Sequence, residues 1–197
     1  MLHENIDKTV TNESAQGPEP QCKPGCSHCC NLRVEASDPE ALNIAQHLQT
    51  LPPQGLEPLK QQLQAKAQYH QQGLAPPSGR MACAFLQDQH CTIYAVRPAT
   101  CRKCHSLSVA ACESGAEVIP QNLPLLVQCE VLVAGANAAF QNFNLPASPM
   151  ELSAAVLAAL ANPLATEAWY QGSALLSTPP QPCVSVSAVQ SGHGLPP

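Results

Sequence analysis

Cys22-Lys23-Pro24-Gly25-Cys26-Ser27-His28-Cys29-Cys30 places four cysteines within nine positions. Pro24 and Gly25 favour a turn, which lets the sulfurs converge with little loop-closure cost. Thiolates at this density are typical of zinc and iron–sulfur sites. Buried thiols and disulfides are the alternatives, but they explain an isolated cysteine better than this spacing. The stretch therefore predicts a metal-binding loop.

A second group of soft ligands lies between residues 83 and 112. It contains Cys83, Cys91, Cys101, Cys104, His105 and Cys112. Two helices predicted between the groups would form an antiparallel hairpin and return the chain to its start. We therefore expect both groups to share one metal or iron–sulfur site, although the number of cysteines also permits two sites. The predicted ligands are Cys22, Cys26, Cys29, Cys30, Cys83, Cys91, Cys101 and Cys104.

The other cysteines and histidines carry a weaker signal. His28 lies inside the first loop and could replace one thiolate, as in zinc sites built from three cysteines and one histidine. Ligation by His105 and Cys112 rests on spacing alone. Cys129 is predicted to be a buried structural thiol, and Cys183 is not expected to bind metal.

The length of 197 residues suits one domain with tails. We predict a flexible arm over residues 1–20, one cysteine-cluster domain over 21–172 and a disordered tail over 178–197. Within the domain, 21–112 is the metal-binding part and 122–172 a helical part. Aromatic residues make up only 4% of the chain, so apolar burial per residue is low and a metal cross-link would help the fold.

The pattern predicts a mainly α fold with a short β-hairpin. The expected elements, in order, are a strand at 31–36, a helix from the capping box Ser37-Asp38-Pro39-Glu40, a helix at 56–72, a hairpin at 79–94, a helix after Pro98, a helix at 123–143, a helix from a capping box at 148–151 to 160, and a short helix ending at 170. On the helix after Pro98, we expect Cys101, Cys104 and His105 to project from one face.

Charge argues against nucleic acid as a partner. All nine Lys and Arg lie at or before Lys103, and they form no basic stripe. Arg97, Arg102 and Lys103 are instead expected to offset thiolate charge, or else to lie on a solvated helix face, with Arg97 in a structural salt bridge. A protein partner stays open.

Neither a secretory signal nor a membrane span is expected. The first residues lack a basic and an apolar region, and the apolar stretch 123–143 is interrupted by polar residues. These are Gln128, Glu130, Asn137 and Gln141. We expect this stretch to form a buried central helix. The protein is therefore expected in the cytoplasm, where reducing conditions keep thiols free for metal.

A longer pattern joins the two cysteine groups. It consists of Cys22, Cys26, Cys29 and Cys30, followed by Cys83-x-Phe85-Leu86 and Cys91-x-Ile93-Tyr94-x-x-Arg97-Pro98-x-x-Cys101-Arg102. In this pattern, over roughly residues 22–112, the chain resembles the YkgJ-type cysteine-cluster family, whose members are described as zinc- or iron-chelating proteins. The resemblance implies a zinc, iron or [4Fe–4S] cofactor held by the cysteines.

The sequence leaves the function of such a site open. The first hypothesis is a metal-binding protein with a redox, metal-handling or accessory role. The alternative is an iron–sulfur enzyme, because flagellin lysine N-methylase has a similar cysteine-cluster region. The spacing of Cys22, Cys26 and Cys29 also matches radical S-adenosylmethionine enzymes, but the strand–helix alternation of their barrel is missing here. The sequence does not decide whether the protein is an enzyme.

Overall fold

The computed structural model describes residues 1–23, 25–71 and 81–176, and these ranges are mainly α-helical, as predicted. The α-helices are α1 (Leu2–Gln16), α2 (Asp38–Gln49), α3 (Pro53–Gln71), α4 (Ala99–Lys103), α5 (Val109–Ser114), α6 (Leu123–Asn142), α7 (Leu152–Ala161) and α8 (Ala165–Tyr170). The short strands are β1 (Glu35–Ala36), β2 (Leu86–Gln87), β3 (His90–Cys91) and β4 (Met150–Glu151). The tail predicted at 178–197 lies outside the described residues, and the division into domains stays a prediction.

The main core forms where α2 and α3 pack against α7. Ile44, Leu63 and Val156 are fully buried there, together with Phe85 from the hairpin. Apolar residues at helical spacing in each helix supply this face, as the pattern for α3 predicted. The segment that carries Cys83 and Cys91 is thus anchored directly on the core.

The predicted capping box at the start of α2 is confirmed. The Ser37 side chain caps the N3 backbone N–H, and the Glu40 carboxylate accepts from the Ser37 backbone N–H at 2.9 Å. Pro39 occupies the first turn, where its missing N–H costs nothing. This cap fixes where the helix begins.

The predicted hairpin is confirmed in a shorter form. β2 and β3 pair antiparallel, with Leu86 opposite Cys91 and Gln87 opposite His90. Asp88 and Gln89 in the turn both have positive φ, as a tight two-residue hairpin turn requires.

Two local predictions differ from the structure: the first strand is shorter than predicted, and a predicted capping box is replaced by a strand pairing. The predicted strand at 31–36 is only β1, which pairs antiparallel with β4. The predicted capping box at 148–151 does not form, because Met150–Glu151 is that partner strand. The cap of α7 is instead Glu151, whose carboxylate accepts from the Ala154 backbone N–H at 2.9 Å.

The prediction of a flexible arm at 1–20 is wrong over most of its length. Residues Leu2–Gln16 form α1, and Ile6 is fully buried against Leu125 and Cys129 of α6. The side chain of Asp7 also pairs with Arg102 at 2.6 Å. The polar composition suggested disorder, but the burial of Ile6 and the ion pair of Asp7 help to dock the helix.

The prediction that 123–143 forms a buried central helix is also wrong. α6 packs against α1 on one side, where Leu125 and Cys129 are its buried residues. Its other side exposes Leu123, Val127 and Val131 to solvent. By length and composition alone, α6 could cross a membrane, although core helices of soluble proteins pass the same test.

Candidate metal centre

The two cysteine groups meet through the backbone. The N–H of Cys83 donates to the carbonyl of Cys30 at 2.7 Å, and the N–H of Gln21 donates to the carbonyl of Ser106 at 2.8 Å. Ser27 donates from its hydroxyl to the side chain of Gln89 in the hairpin turn. The first loop is therefore held between the hairpin and the segment that follows α4.

Short turns aim the first group of thiols. Gly25 has φ +88°, and the N–H of Cys26 donates to the carbonyl of Lys23 at 2.9 Å. A 3₁₀ turn over His28–Asn31 then carries Cys29 and Cys30. The chain thus reverses direction tightly, and only glycine adopts such a backbone conformation without strain.

Three separate pieces of structure carry the second group. Cys83 precedes the hairpin, Cys91 ends β3 and Cys101 lies in α4. Pro98 caps α4, and the Cys101 N–H donates to the Pro98 carbonyl at 2.9 Å. The loop, the hairpin segment and α4 therefore each contribute cysteines to the predicted site.

The prediction that Cys101, Cys104 and His105 share one helical face is wrong. α4 ends at Lys103, and Cys104 has extended backbone. His105 is buried, and its two ring nitrogens are engaged: Nδ1 with the carbonyl of Lys103 at 2.8 Å, and Nε2 with the backbone N–H of Asn122 at 2.8 Å. His105 is a structural histidine here, and Cys104 reaches the first loop without helical geometry.

Sulfur–sulfur contacts join the groups at Cys29. Hydrogen bonding with Cys104 and then with Cys30 lowers the pKa of Cys29 to about 3 and raises the pKa of both partners. Within the described ranges, no three His, Cys, Asp or Glu side chains are arranged as closely as a bound ion requires. The thiols are thus gathered and hydrogen-bonded to each other, and their ligation of metal stays a prediction.

Backbone amides point at three of the sulfurs. The N–H of Phe85 donates to Cys83, that of Ile93 to Cys91 and that of Ser106 to Cys22, and each contact favours the thiolate. Amide hydrogen bonds to sulfur are a standard way in which proteins hold ligating thiolates. Soft donors with amides aimed at them fit zinc or an iron–sulfur cluster. Sequence reasoning missed these amides, although two of them lie two residues after a cysteine.

Burial opposes ionisation of most of these thiols. It raises the pKa of Cys101 to about 12, with further increases from neighbouring Cys83 and Cys29. Burial is also the main cause that raises the pKa of Cys83, Cys91 and Cys22. Most of these thiols therefore keep their protons at neutral pH until a cation replaces them.

Cys22 lies near thiols of the first loop and of α5. It is affected by the charges of Cys26, Cys29 and Cys112. The loop meets α5, which carries Cys112, through a 3.7 Å contact between His28 Nε2 and Glu113. α5 is not among the predicted helices. The position of α5 brings Cys112 near the first loop, which the sequence spacing alone did not show. It also places His28 beside the carboxylate of Glu113.

Two cysteines lie apart from this group or outside the described residues. Cys129 is fully buried between α6 and α1, which confirms its prediction as a structural thiol. Cys183 lies outside the described residues. None of the ten cysteines that the structure describes is in a disulfide.

Comparison with known proteins adds one family and no individual relative. The family model CxxCxxCC, described as "Putative zinc- or iron-chelating domain", matches residues 21–122, just over half of the chain. No curated protein and no solved structure matches the chain. The matched range contains the first loop, the hairpin, α4 and α5, which are the elements that gather the thiols. The chain therefore belongs to the CxxCxxCC family of zinc- or iron-chelating domains.

Proposed function

We propose that the protein chelates zinc or iron, the latter as an iron–sulfur cluster, through thiols of both cysteine groups. The observation that carries the proposal is the junction of the groups, where Cys29 contacts Cys104 while Cys83 pairs through its backbone with Cys30. Residues more than fifty positions apart are thereby gathered in one place. A shared metal ion or iron–sulfur cluster is the simplest explanation for so many thiols close together.

The proposed ligands are drawn from eight cysteines of the two groups: Cys22, Cys26, Cys29, Cys30, Cys83, Cys91, Cys101 and Cys104. When bound, zinc would cross-link the loop to the hairpin and α4, and an iron–sulfur cluster would in addition carry electrons. Although the side chains of Cys29 and Cys30 are in contact here, adjacent cysteines seldom chelate one ion together, so we expect only one of them to bind a given ion. The backbone amides of Phe85, Ile93 and Ser106 would stabilise the thiolates.

The proposal includes the compartment. Free thiols at this density persist in a reducing environment, so we propose that the protein works in the cytoplasm. There it would serve a redox, metal-handling or accessory role.

Anaerobic purification of the full chain, followed by elemental analysis and a visible spectrum, tests the proposal. We expect roughly one zinc per chain, or about four irons with the broad visible absorption of a [4Fe–4S] cluster. Preparations without stoichiometric zinc or iron, even after anaerobic reconstitution, would contradict the proposal. With iron bound, an unchanged spectrum on adding S-adenosylmethionine argues against the radical-enzyme alternative.

A further inference from the structure

Arg97 differs in its contacts from Arg102, Lys103 and Lys66. Arg102 pairs with Asp7 at 2.6 Å, and Lys103 pairs with Glu130 at 2.5 Å. Lys66 is buried beside Cys83, and its ammonium donates to the carbonyl of Met81. In the part of the chain that the structure describes, the Nε of Arg97 is buried and has no hydrogen-bond partner.

The backbone at Arg97 is held on both sides. The guanidinium of Arg102 donates to the carbonyl of Arg97 at 3.0 Å and to that of Ala95. On the other side, the N–H of Ala99 donates to Glu40 at 2.6 Å. Arg97 thus has a fixed place between the hairpin and α4, which both carry proposed ligands.

The side chain of Arg97 is also held in place. Its guanidinium carbon lies 3.7 Å from the centre of the Tyr94 ring, which is itself 62% exposed. Stacking on an aromatic ring covers one face of a guanidinium and leaves the N–H groups at its edge able to donate. Cys29, Cys91 and Cys101, which come from both cysteine groups, lie within range of the positive charge of Arg97.

A thiolate site needs such a cation. Four thiolates around zinc, or around a [4Fe–4S] cluster in its usual oxidised state, leave a net charge of about −2. The chain itself has a net charge of −5, and residues 104–197 contain no Lys or Arg. A buried negative centre is costly unless nearby N–H groups and cations offset it.

We propose that Arg97 is a positioning residue of the metal centre: its guanidinium, stacked on Tyr94, donates to the ligating sulfurs and offsets their charge. This inference rests on the proposed function. The sequence predicted that Arg97, Arg102 and Lys103 offset thiolate charge. Arg102 and Lys103 pair with carboxylates instead, and the inference assigns this role to Arg97. Since Arg97 acts through the sulfurs, its loss should change the properties of the centre more than the stability of the fold.

The experiment compares the full-length chain with Arg97→Gln, Arg97→Lys and, as a matched control, Arg33→Gln. Arg33 is exposed and pairs with Glu35 at 3.2 Å, so its variant removes the same charge from the surface. The readouts are the rate of metal loss to a chelator and, if iron is bound, the reduction midpoint potential. Thermal unfolding of each metal-free chain reports on the fold.

We expect Arg97→Gln to lose metal about 10-fold to 100-fold faster than the wild type, the range typical for outer-shell partners of metal ligands. With iron bound, its potential should be more negative, because a donor to sulfur is gone. Arg97→Lys keeps the charge but not the stacked fork, so its rate should be intermediate. Arg33→Gln should match the wild type.

The outcomes separate this inference from the proposed function. A wild-type chain that binds neither zinc nor iron overturns both. A wild-type chain that binds metal, with Arg97→Gln indistinguishable from Arg33→Gln, overturns the inference alone. If Arg97→Gln does not fold, Tyr94→Leu decides: faster metal loss supports the inference, and a wild-type rate overturns it.

Discussion

The carboxylate of Glu40 accepts a hydrogen bond from the backbone N–H of Ala99 at 2.6 Å, across 59 positions of sequence. The same carboxylate closes the capping box with Ser37 and contacts His3 Nε2 at 3.2 Å. A side chain that begins α2 therefore also fixes the start of α4, which carries Cys101. Glu40, which the sequence identified as part of a helix cap, therefore also helps to position an element of the proposed metal centre.

Glu40→Gln is expected to destabilise the protein by about 1–3 kcal/mol at pH 7, because the amide replaces an ionised acceptor of several hydrogen bonds. Although burial opposes ionisation, the bonds from His3, Ala99 and Ser37 lower the pKa of Glu40 to about 2. Urea unfolding of both proteins at pH 7 measures the difference. Glu117→Gln, at an exposed position, is the control and should have no effect.

The same shift predicts a pH dependence. A lowered carboxyl pKa contributes stability that is complete above the unfolded value, about 4.3, and is lost as pH falls through about 2. The whole contribution is about 3 kcal/mol at most. The gap between wild type and Glu40→Gln should therefore shrink between pH 4.5 and 2. A gap that stays constant over this range would contradict the assigned role of Glu40.

Cys26→Ser and Cys101→Ser are expected to release metal and lower the melting temperature of the loaded protein, since serine is a much poorer ligand than thiolate for zinc and iron. Cys129→Ala should keep its metal although it loses some stability, because that thiol is buried between α6 and α1. Cys183→Ser should behave as wild type. Elemental analysis and thermal unfolding of the four variants check this, and equal metal content in all of them would refute the assignment.

Metal binding is expected to release protons and to weaken as pH falls. Burial raises the pKa of Cys101 to about 12 and also raises that of Cys83 and Cys91, so the metal-free thiols are protonated at neutral pH. Each proton displaced makes the apparent affinity fall about tenfold per pH unit below the thiol pKa. Calorimetry in buffers of different ionisation enthalpy counts these protons. Binding independent of pH between 6 and 8 would show that thiols are not the ligands.

Ile6→Ala is expected to cost about 2–4 kcal/mol, because this side chain is fully buried between α1 and α6. Asn12→Ala, on the exposed side of α1, should be nearly neutral. Urea unfolding separates the two. Equal stability of both variants would indicate that α1 does not dock.

Val131→Asp is expected to change stability by less than about 0.5 kcal/mol, because Val131 is 65% exposed on the outer side of α6. Leu125→Ala, on the inner side, should cost about 2–5 kcal/mol. Urea unfolding again measures both. A large loss in Val131→Asp would mean that the outer side of α6 is covered in solution.

Local chemistry was predictable where one segment contains the whole signal. The capping box of α2, the hairpin turn at Asp88 and Gln89, and the apolar face of α3 depend on residues a few positions apart. Prediction was wrong where a distant segment competes. Glu151 belongs to a strand because β1 is its partner, and α1 is ordered because α6 covers Ile6. The pattern within one segment does not show which distant segments will pack against it.

The amino-acid sequence by itself determined the chemistry of this protein: the soft ligands, the turns that let them converge and the mainly α fold, since these follow from residue type and short-range spacing. Only the tertiary structure decided which groups meet. Cys104 lies after the end of α4 and contacts Cys29. His105 is hydrogen-bonded to the backbone. Arg102 and Lys103 form ion pairs with carboxylates. The physical reason is that hydrogen bonds and burial between distant segments outweigh helical periodicity over the few residues at the end of a short helix.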